Sequence, residues 1–294
     1  MGLEIQSKNV SMNSATPSEF NFNSEISQYV AGIASFQFSY GNDDHHIEQL
    51  SLNLTSNRPS SQKVTVSVTA IMSDSSGNQI NLQNSYVTVT VIAWTGASTN
   101  AVLLNPAVSV ANGGRSDGIN LPDSSEPILQ AALAGFNFAY SDDDHHVQFL
   151  QASVGSQQNG SVGFITATAN MKDDSGHFAS TQSASGLLIA SSTSQPGFVV
   201  VPYSDQSPQV RTIPMGTPVK DAVTFITGFQ VQFAAQDDHH VYRLGAGPDK
   251  VWVDTGDNTQ VQTTGVQAWM ADKSGNIQNN NKSSCSIIVV GIPA

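Results

Sequence analysis

One stretch of this chain occurs three times, and that repetition constrains the fold more than any other property. The copies are Ala34–Leu54 (ASFQFSYGNDDHHIEQLSLNL), Ala134–Val154 (AGFNFAYSDDDHHVQFLQASV) and Thr227–Gly247 (TGFQVQFAAQDDHHVYRLGAG). The third carries one extra residue ahead of its acidic pair. A second landmark follows each: Met72–Asn78 (MSDSSGN), Met171–His177 (MKDDSGH) and Met270–Asn276 (MADKSGN), with the methionines 99 residues apart at both steps. A third landmark closes each unit: Val89–Trp94 (VTVIAW), Gly186–Ser191 (GLLIAS) and Ser286–Gly291 (SIIVVG). Three units of about 98 residues fill the 294-residue chain, with divisions at 1–99, 100–199 and 200–294. The leaders of the later units are rich in Pro, Gly and Ser, as in Asn112–Gly118 and Ser204–Gln209, which suits linkers and one peripheral strand.

The landmarks read as strands. Phe36, Phe38 and Tyr40 alternate with polar residues, as do Phe136, Phe138 and Tyr140, and Phe229, Val231 and Phe233. Period two with aromatic and β-branched content is the pattern of a half-buried strand. Val64, Val66, Val68, Ala70 and Met72 share one face of the next strand. The turn that follows contains Gly, which adopts positive φ without strain, and predicts a hairpin whose returning strand is the third landmark. Helical periodicity is nearly absent; Ile128–Phe136 aligns with Val30–Phe36 and Val223–Phe229, and all three read as strand entries. The predicted fold is all-β: three tandem antiparallel β-sandwich units of about six strands each, arranged with pseudo-threefold symmetry.

Composition narrows the function. Charged residues are only 12% and hydrophobic residues 39%, so this is a core-forming chain and not a disordered one. With 11 basic residues, a net charge of −12 and no cationic stripe, phosphate neutralisation is poorly served, which argues against nucleic acid and anionic membranes as partners. The single cysteine, Cys285, excludes an internal disulfide and a cysteine-based zinc site, and its apolar strand marks it as a buried hydrophobe. The start of the chain lacks a basic-then-apolar leader, and no apolar run reaches membrane-spanning length. The expected location is cytoplasmic, particle-borne or exported by a non-classical route.

The Asp-Asp-His-His corner is the one constellation with chemistry in it. Strand parity separates its histidines: His46 shares a face with Leu50 and Leu52, His146 with Leu150 and Ala152, His240 with Leu244 and Ala246, so the second histidine points toward the core. The first histidine points the other way, beside the preceding Asp. Three uses remain open. The corner is structural, with histidines hydrogen-bonded and aspartates holding turn amides. Or it holds a divalent transition metal: one unit offers too few ligands, but His45, His145 and His239 around a threefold axis, with Asp43, Asp143 and Asp237, supply a known donor set. Or His beside Asp serves acid–base chemistry. No nucleophile elbow, phosphate loop or HExxH motif accompanies it, and the chain is expected not to be an enzyme. If function resides in the motif, its outer half carries it.

Two tryptophans are ligand-contact candidates. Trp269 precedes Met270 and so faces away from the Val266, Ala268 and Met270 face, and Trp252 lies in a short polar-flanked run. Trp94 ends a closing strand and reads as core.

The order of landmarks resembles the H-type lectin domain: Phe36-x-Phe38-x-Tyr40, a corner, Ile47-x-x-Leu50-x-Leu52, a Val-rich strand, a Gly turn and a strand ending in Trp94. The resemblance covers most of each unit and implies a six-stranded antiparallel sandwich, trimer formation and N-acetylgalactosamine-type sugars bound in clefts between subunits. Where that family commonly has prolines at the corner, this chain has Asp-Asp-His-His, and no binding residue is carried across. Three tandem units then build in one chain the trimer that the family builds from three. The leading expectation is a non-enzymatic, tandem lectin-like module recognising glycans. The alternative is a structural subunit of a larger assembly, such as a phage or injection-particle component, a shell or a filament, with self-association as a homo-oligomer.

Overall fold

The computed structural model describes residues 2–41, 43–97, 99–123, 125, 127–141, 145–193, 196–233, 240–278 and 282–294. Strands and connecting turns make up these residues, with no helix among them. The first third contains β1 (Gly2–Val10), β2 (Ser18–Asn21), β3 (Ile26–Ser39), β4 (Gln49–Ser60), β5 (Lys63–Ser73) and β6 (Tyr86–Thr95). The second contains β7 (Val102–Ala111), β8 (Ile119–Asn120), β9 (Ile128–Ala139), β10 (Val147–Asn159), β11 (Val162–Asp173) and β12 (Thr181–Ser191). The third contains β13 (Val199–Asp205), β14 (Ser207–Pro214), β15 (Val219–Gln232), β16 (Arg243–Gly247), β17 (Lys250–Val253), β18 (Gln260–Ala271), β19 (Ile277–Gln278) and β20 (Ser284–Pro293).

The expected alternation is borne out in burial. Val64, Val66, Val68, Ala70 and Met72 are all buried, while Ile71 between the last two is exposed. Phe36, Phe38 and Tyr40 and their counterparts in the other thirds are buried. Cys285 is buried in β20, and removal from water pushes its thiol pKa up to about 12.

Pairing does not follow the repeat. The sheets run β1-β6-β3-β16-β18-β14 (with β17 and β19 also on β18), β13-β20-β15-β10-β11-β8 and β2-β5-β4-β9-β12-β7. Each sheet thus takes strands from two consecutive thirds, and each third divides its strands between two sheets that face each other as a sandwich. The seams use one register. Phe36 opposes Ala246 across β3 and β16, Phe136 opposes Leu52 across β9 and β4, and Phe229 opposes Ala152 across β15 and β10. These are equivalent positions taken in cyclic order, so the chain closes a ring about a pseudo-threefold axis.

The expected hairpin is corrected in one respect. The turn exists, with Gly77, Gly176 and Gly275 at φ of 92°, 91° and 94°. Only a brief return follows it: Ser73 bridges Gln79, Lys172 bridges Phe178, and β18 pairs β19. The chain then crosses to the opposite sheet, where β6 pairs with β1 and β3 rather than with β5. Alternation specifies which face of a strand is buried but not which strand lies beside it.

Each central strand carries a bulge at the same place. The register slips between Ile33 and Ser35, between Leu133 and Gly135 opposite Gly186, and between Ile226 and Gly228. A bulge adds one residue, bends the strand and switches the face presented beyond it. Residues after the bulge feed the larger core; Val30, Ala132 and Phe225 before it join a second cluster with Leu187, Ile92 and Ile288. On the axis Phe36, Phe136 and Phe229 form a closed triangle, with ring centroids 5.4, 5.3 and 5.5 Å apart. Such tilted and edge-on aromatic pairs add to plain burial. Four residues earlier stand Gly32, Ala132 and Phe225. A Cβ on Gly32 would lie 2.7 Å from Phe225 Cδ1, so the one large side chain occupies room that glycine leaves.

Candidate functional site

The three corners meet at the seams, and backbone hydrogen bonds fix them there. Tyr40 N donates to Tyr242 O, Tyr140 N to Glu48 O, and Phe233 N to Gln148 O, one bond per seam in cyclic order. His45 exchanges both backbone bonds with Val241, at 3.1 and 2.9 Å, and Ile47 N donates to His145 O. The corner of one third is therefore the edge partner of the next.

This pairing brings the second histidines together. His46 Nε2 lies 2.6 Å from His146 Nε2, and His240 Nε2 lies 3.1 Å from His146 Nε2. The rings of His146 and His240 stack at 5.0 Å, and His46 meets both edge-on at 4.2 and 4.4 Å. One ligand nitrogen from each third thus points into one small volume on the axis. The backbone behind the rings is held: Tyr40 Oη donates to His46 O at 2.9 Å, and Asp174 N donates to His146 O at 3.2 Å. Asp44 Oδ1 stands 3.9 Å behind His240 Nδ1, and Asp44 is itself anchored by the Lys273 amide.

The first histidines take a different direction. His145 Nδ1 is 2.7 Å from Asp173 Oδ2, and His45 Nδ1 is 3.4 Å from Asp74 Oδ2. Tyr140 stacks on His145 at 3.8 Å and Tyr40 meets His45 edge-on at 4.8 Å. His239, Asp143 and Asp237 lie outside the described residues. Asp43 is at the surface, 3.1 Å from Lys273 Nζ.

Asp74, Asp173 and Asp272 are the residues that sequence reasoning passed over. All three are buried. Each Oδ1 accepts the backbone N–H four residues on, from Asn78, His177 and Asn276, at 2.7, 2.7 and 2.9 Å. Each Oδ2 receives the side chain of that same residue. The available signal was an Asp two residues after Met in every copy. Burial raises the pKa of Asp173, but hydrogen bonds from the His145 ring and from the backbone and ring of His177 outweigh it and hold the carboxyl below its ordinary value. Burial, with Asp173 and Asp174 nearby, pushes the Tyr140 phenol up. His145, Asp173 and His177 form a second His/Asp cluster at the periphery of the second third, where the other thirds have Asn78 and Asn276 in place of His177.

A polar cleft of about 350 Å³ opens between the first and third thirds, lined by Gln37, Ser39, Asn84, Tyr86, Tyr242 and Arg243 among others. Arg243 Nε is buried with no hydrogen-bond partner among the described residues. Its guanidinium lies 5.4 Å from the Trp269 ring centre. Trp269 is half-buried on the outer face of β18, opposite Gly245, where a Cβ would lie 2.8 Å from the indole. Trp252 is half-buried on β17 and takes no part in this cleft. Trp94 is buried, edge-on to Phe198 at 6.4 Å.

Comparison with protein-family models and with curated proteins finds no match. No helix of the described residues is long and apolar enough to cross a membrane.

Proposed function

We propose that this chain is a non-enzymatic binding protein that recognises glycans in clefts between its units. The observation that carries the reading is the cleft beside Trp269. A sugar presents hydroxyls in fixed directions and an apolar ring face. Asn84, Gln37 and Arg243 supply planar hydrogen-bonding groups, Tyr86 and Tyr242 supply aromatic surface, and Trp269 backs Arg243. The Arg243 guanidinium forms part of the cleft wall and carries further N–H donors. The resemblance to the H-type lectin domain points to the same kind of site. A glycan array followed by titration of the hits tests this. Binding to a galactosyl, fucosyl or sialyl ligand should fall at least about tenfold in Arg243→Ala, the scale set by losing a charge-assisted hydrogen bond. An array without hits, or hits indifferent to Arg243→Ala and Tyr242→Ala, overturns it.

A second reading, a subunit of a larger assembly, has its own support. Exposed large apolar side chains occur in all three thirds: Leu82 in the first, Phe178 in the second and Ile277 in the third, at 46%, 57% and 46%. Exposed apolar side chains of this size suit contacts with further copies of the chain. Light scattering across concentration, with Phe178→Ser beside the parent chain, separates the readings. A strictly monomeric species at every concentration removes the assembly.

A further inference from the structure

We propose that His46, His146 and His240 together bind one divalent transition-metal ion of the zinc, cobalt or nickel class on the pseudo-threefold axis. The inference is independent of the glycan reading and rests on how the three rings meet. Each imidazole Nε2 carries either a proton or one in-plane lone pair. His146 Nε2 faces two other ring nitrogens at 2.6 and 3.1 Å, so hydrogen bonding within the triad leaves two partners sharing one proton or one lone pair. A single cation at the centre uses all three lone pairs at once.

The dimensions fit with a small adjustment. Zinc–imidazole bonds of about 2.0–2.1 Å at near-tetrahedral angles place ligand nitrogens about 3.3 Å apart. The rings therefore spread by several tenths of an ångström to admit the ion. That movement is open to His240, whose side chain is 41% exposed, while its neighbour Val241 stays paired to His45. Three neutral nitrogen donors select borderline ions over calcium and magnesium, which prefer oxygen. The fourth coordination position is left to solvent or a small ligand. Asp44, held by the Lys273 amide, stands behind the ring of His240 where a carboxylate orients a metal-bound imidazole.

The ligands come one from each third, which gives the ion its role. It ties three seams at a single point and exists as a site only in the closed ring, so it stabilises the folded chain by its binding free energy.

The test begins with chelator-stripped full-length protein. Zinc and cobalt are titrated by calorimetry, cobalt additionally by its visible ligand-field bands, and melting is followed with and without zinc. The expected result is one equivalent per chain, nitrogen-type cobalt bands and a raised melting midpoint. Affinity should fall about 100-fold or more in His146→Ala, more than the 10–100-fold typical of losing a group behind a ligand. His240→Gln, at the most open position, repeats the test if His146→Ala does not fold. His177→Ala, in the peripheral cluster, should leave the axial equivalent in place. No stoichiometric binding, binding unchanged in both axial variants, or a single equivalent that disappears with His177→Ala instead overturns the proposal.

Discussion

In the first two corners the paired histidines are adjacent in the chain and belong to different structures. His145 faces a buried carboxylate of its own third, 2.7 Å away, and Tyr140 covers its ring. His146, one residue on, meets His46 and His240 from the other two. The first position secures a corner to the sandwich that made it. The second registers that corner against its two counterparts. The dipeptide at His45–His46 and at His145–His146 thus encodes both local order and closure of the ring, since successive residues of an extended chain face opposite ways.

Substitutions that separate axial from peripheral roles test this division. The largest effect is expected at the axis itself. Phe136→Ala should cost about 3–5 kcal/mol, because Phe36 and Phe229 cannot both move in to fill the void. Urea unfolding measures it, and a loss under 1.5 kcal/mol on the same scale would mean that the aromatic triangle does not organise the ring. At the periphery, Asp173→Ala should cost about 1–3 kcal/mol, since it removes a buried carboxylate that accepts from a turn amide and two imidazoles and leaves the half-buried His145 ring without it. Acid should narrow that difference. The Asp173 carboxyl titrates below its ordinary value in the folded chain, so its contribution is present above the unfolded value of about 3.9 and lost as pH falls through the lower folded one. Parent and Asp173→Ala should therefore draw closer in stability on going from pH 7 toward pH 2, and a gap that widens contradicts the assignment. The smallest effect is at His177. His177→Asn installs the residue that the other thirds carry at Asn78 and Asn276, and should change stability by under about 0.5 kcal/mol.

What was legible in the sequence was whatever alternation records. Val64 to Met72 and the Phe36, Phe38, Tyr40 series announced their faces, and three copies announced three equivalent units. The bulge at Ala34, Ala134 and Thr227 was hidden, because an inserted residue in a strand leaves no compositional mark and Ala, Ala and Thr are ordinary strand residues. Crossing between sheets after Met72 was hidden for a related reason: a strand's pattern names its buried face and not its neighbour. The meeting of His46, His146 and His240 depends on that neighbour. Regular strand structure resumes only at Gln49 and Arg243 in the first and third copies, and in the second the register slips between Val147 and Phe149, so parity counted through the corner gave an inward direction without saying that inward led to the axis. Asp74, Asp173 and Asp272 were visible as a pattern, but carboxylates are so seldom buried that the pattern suggested a surface turn.

Phe225 beside Gly32 makes the three units unequal where they meet. A homotrimer of the third unit would need three phenylalanines in space that now holds one beside a glycine and an alanine, and a homotrimer of the first would leave that space empty. Within one chain the three units need not match themselves, and here they fit together as complementary shapes. The thirds are no longer interchangeable, and their order along the chain has become part of the fold.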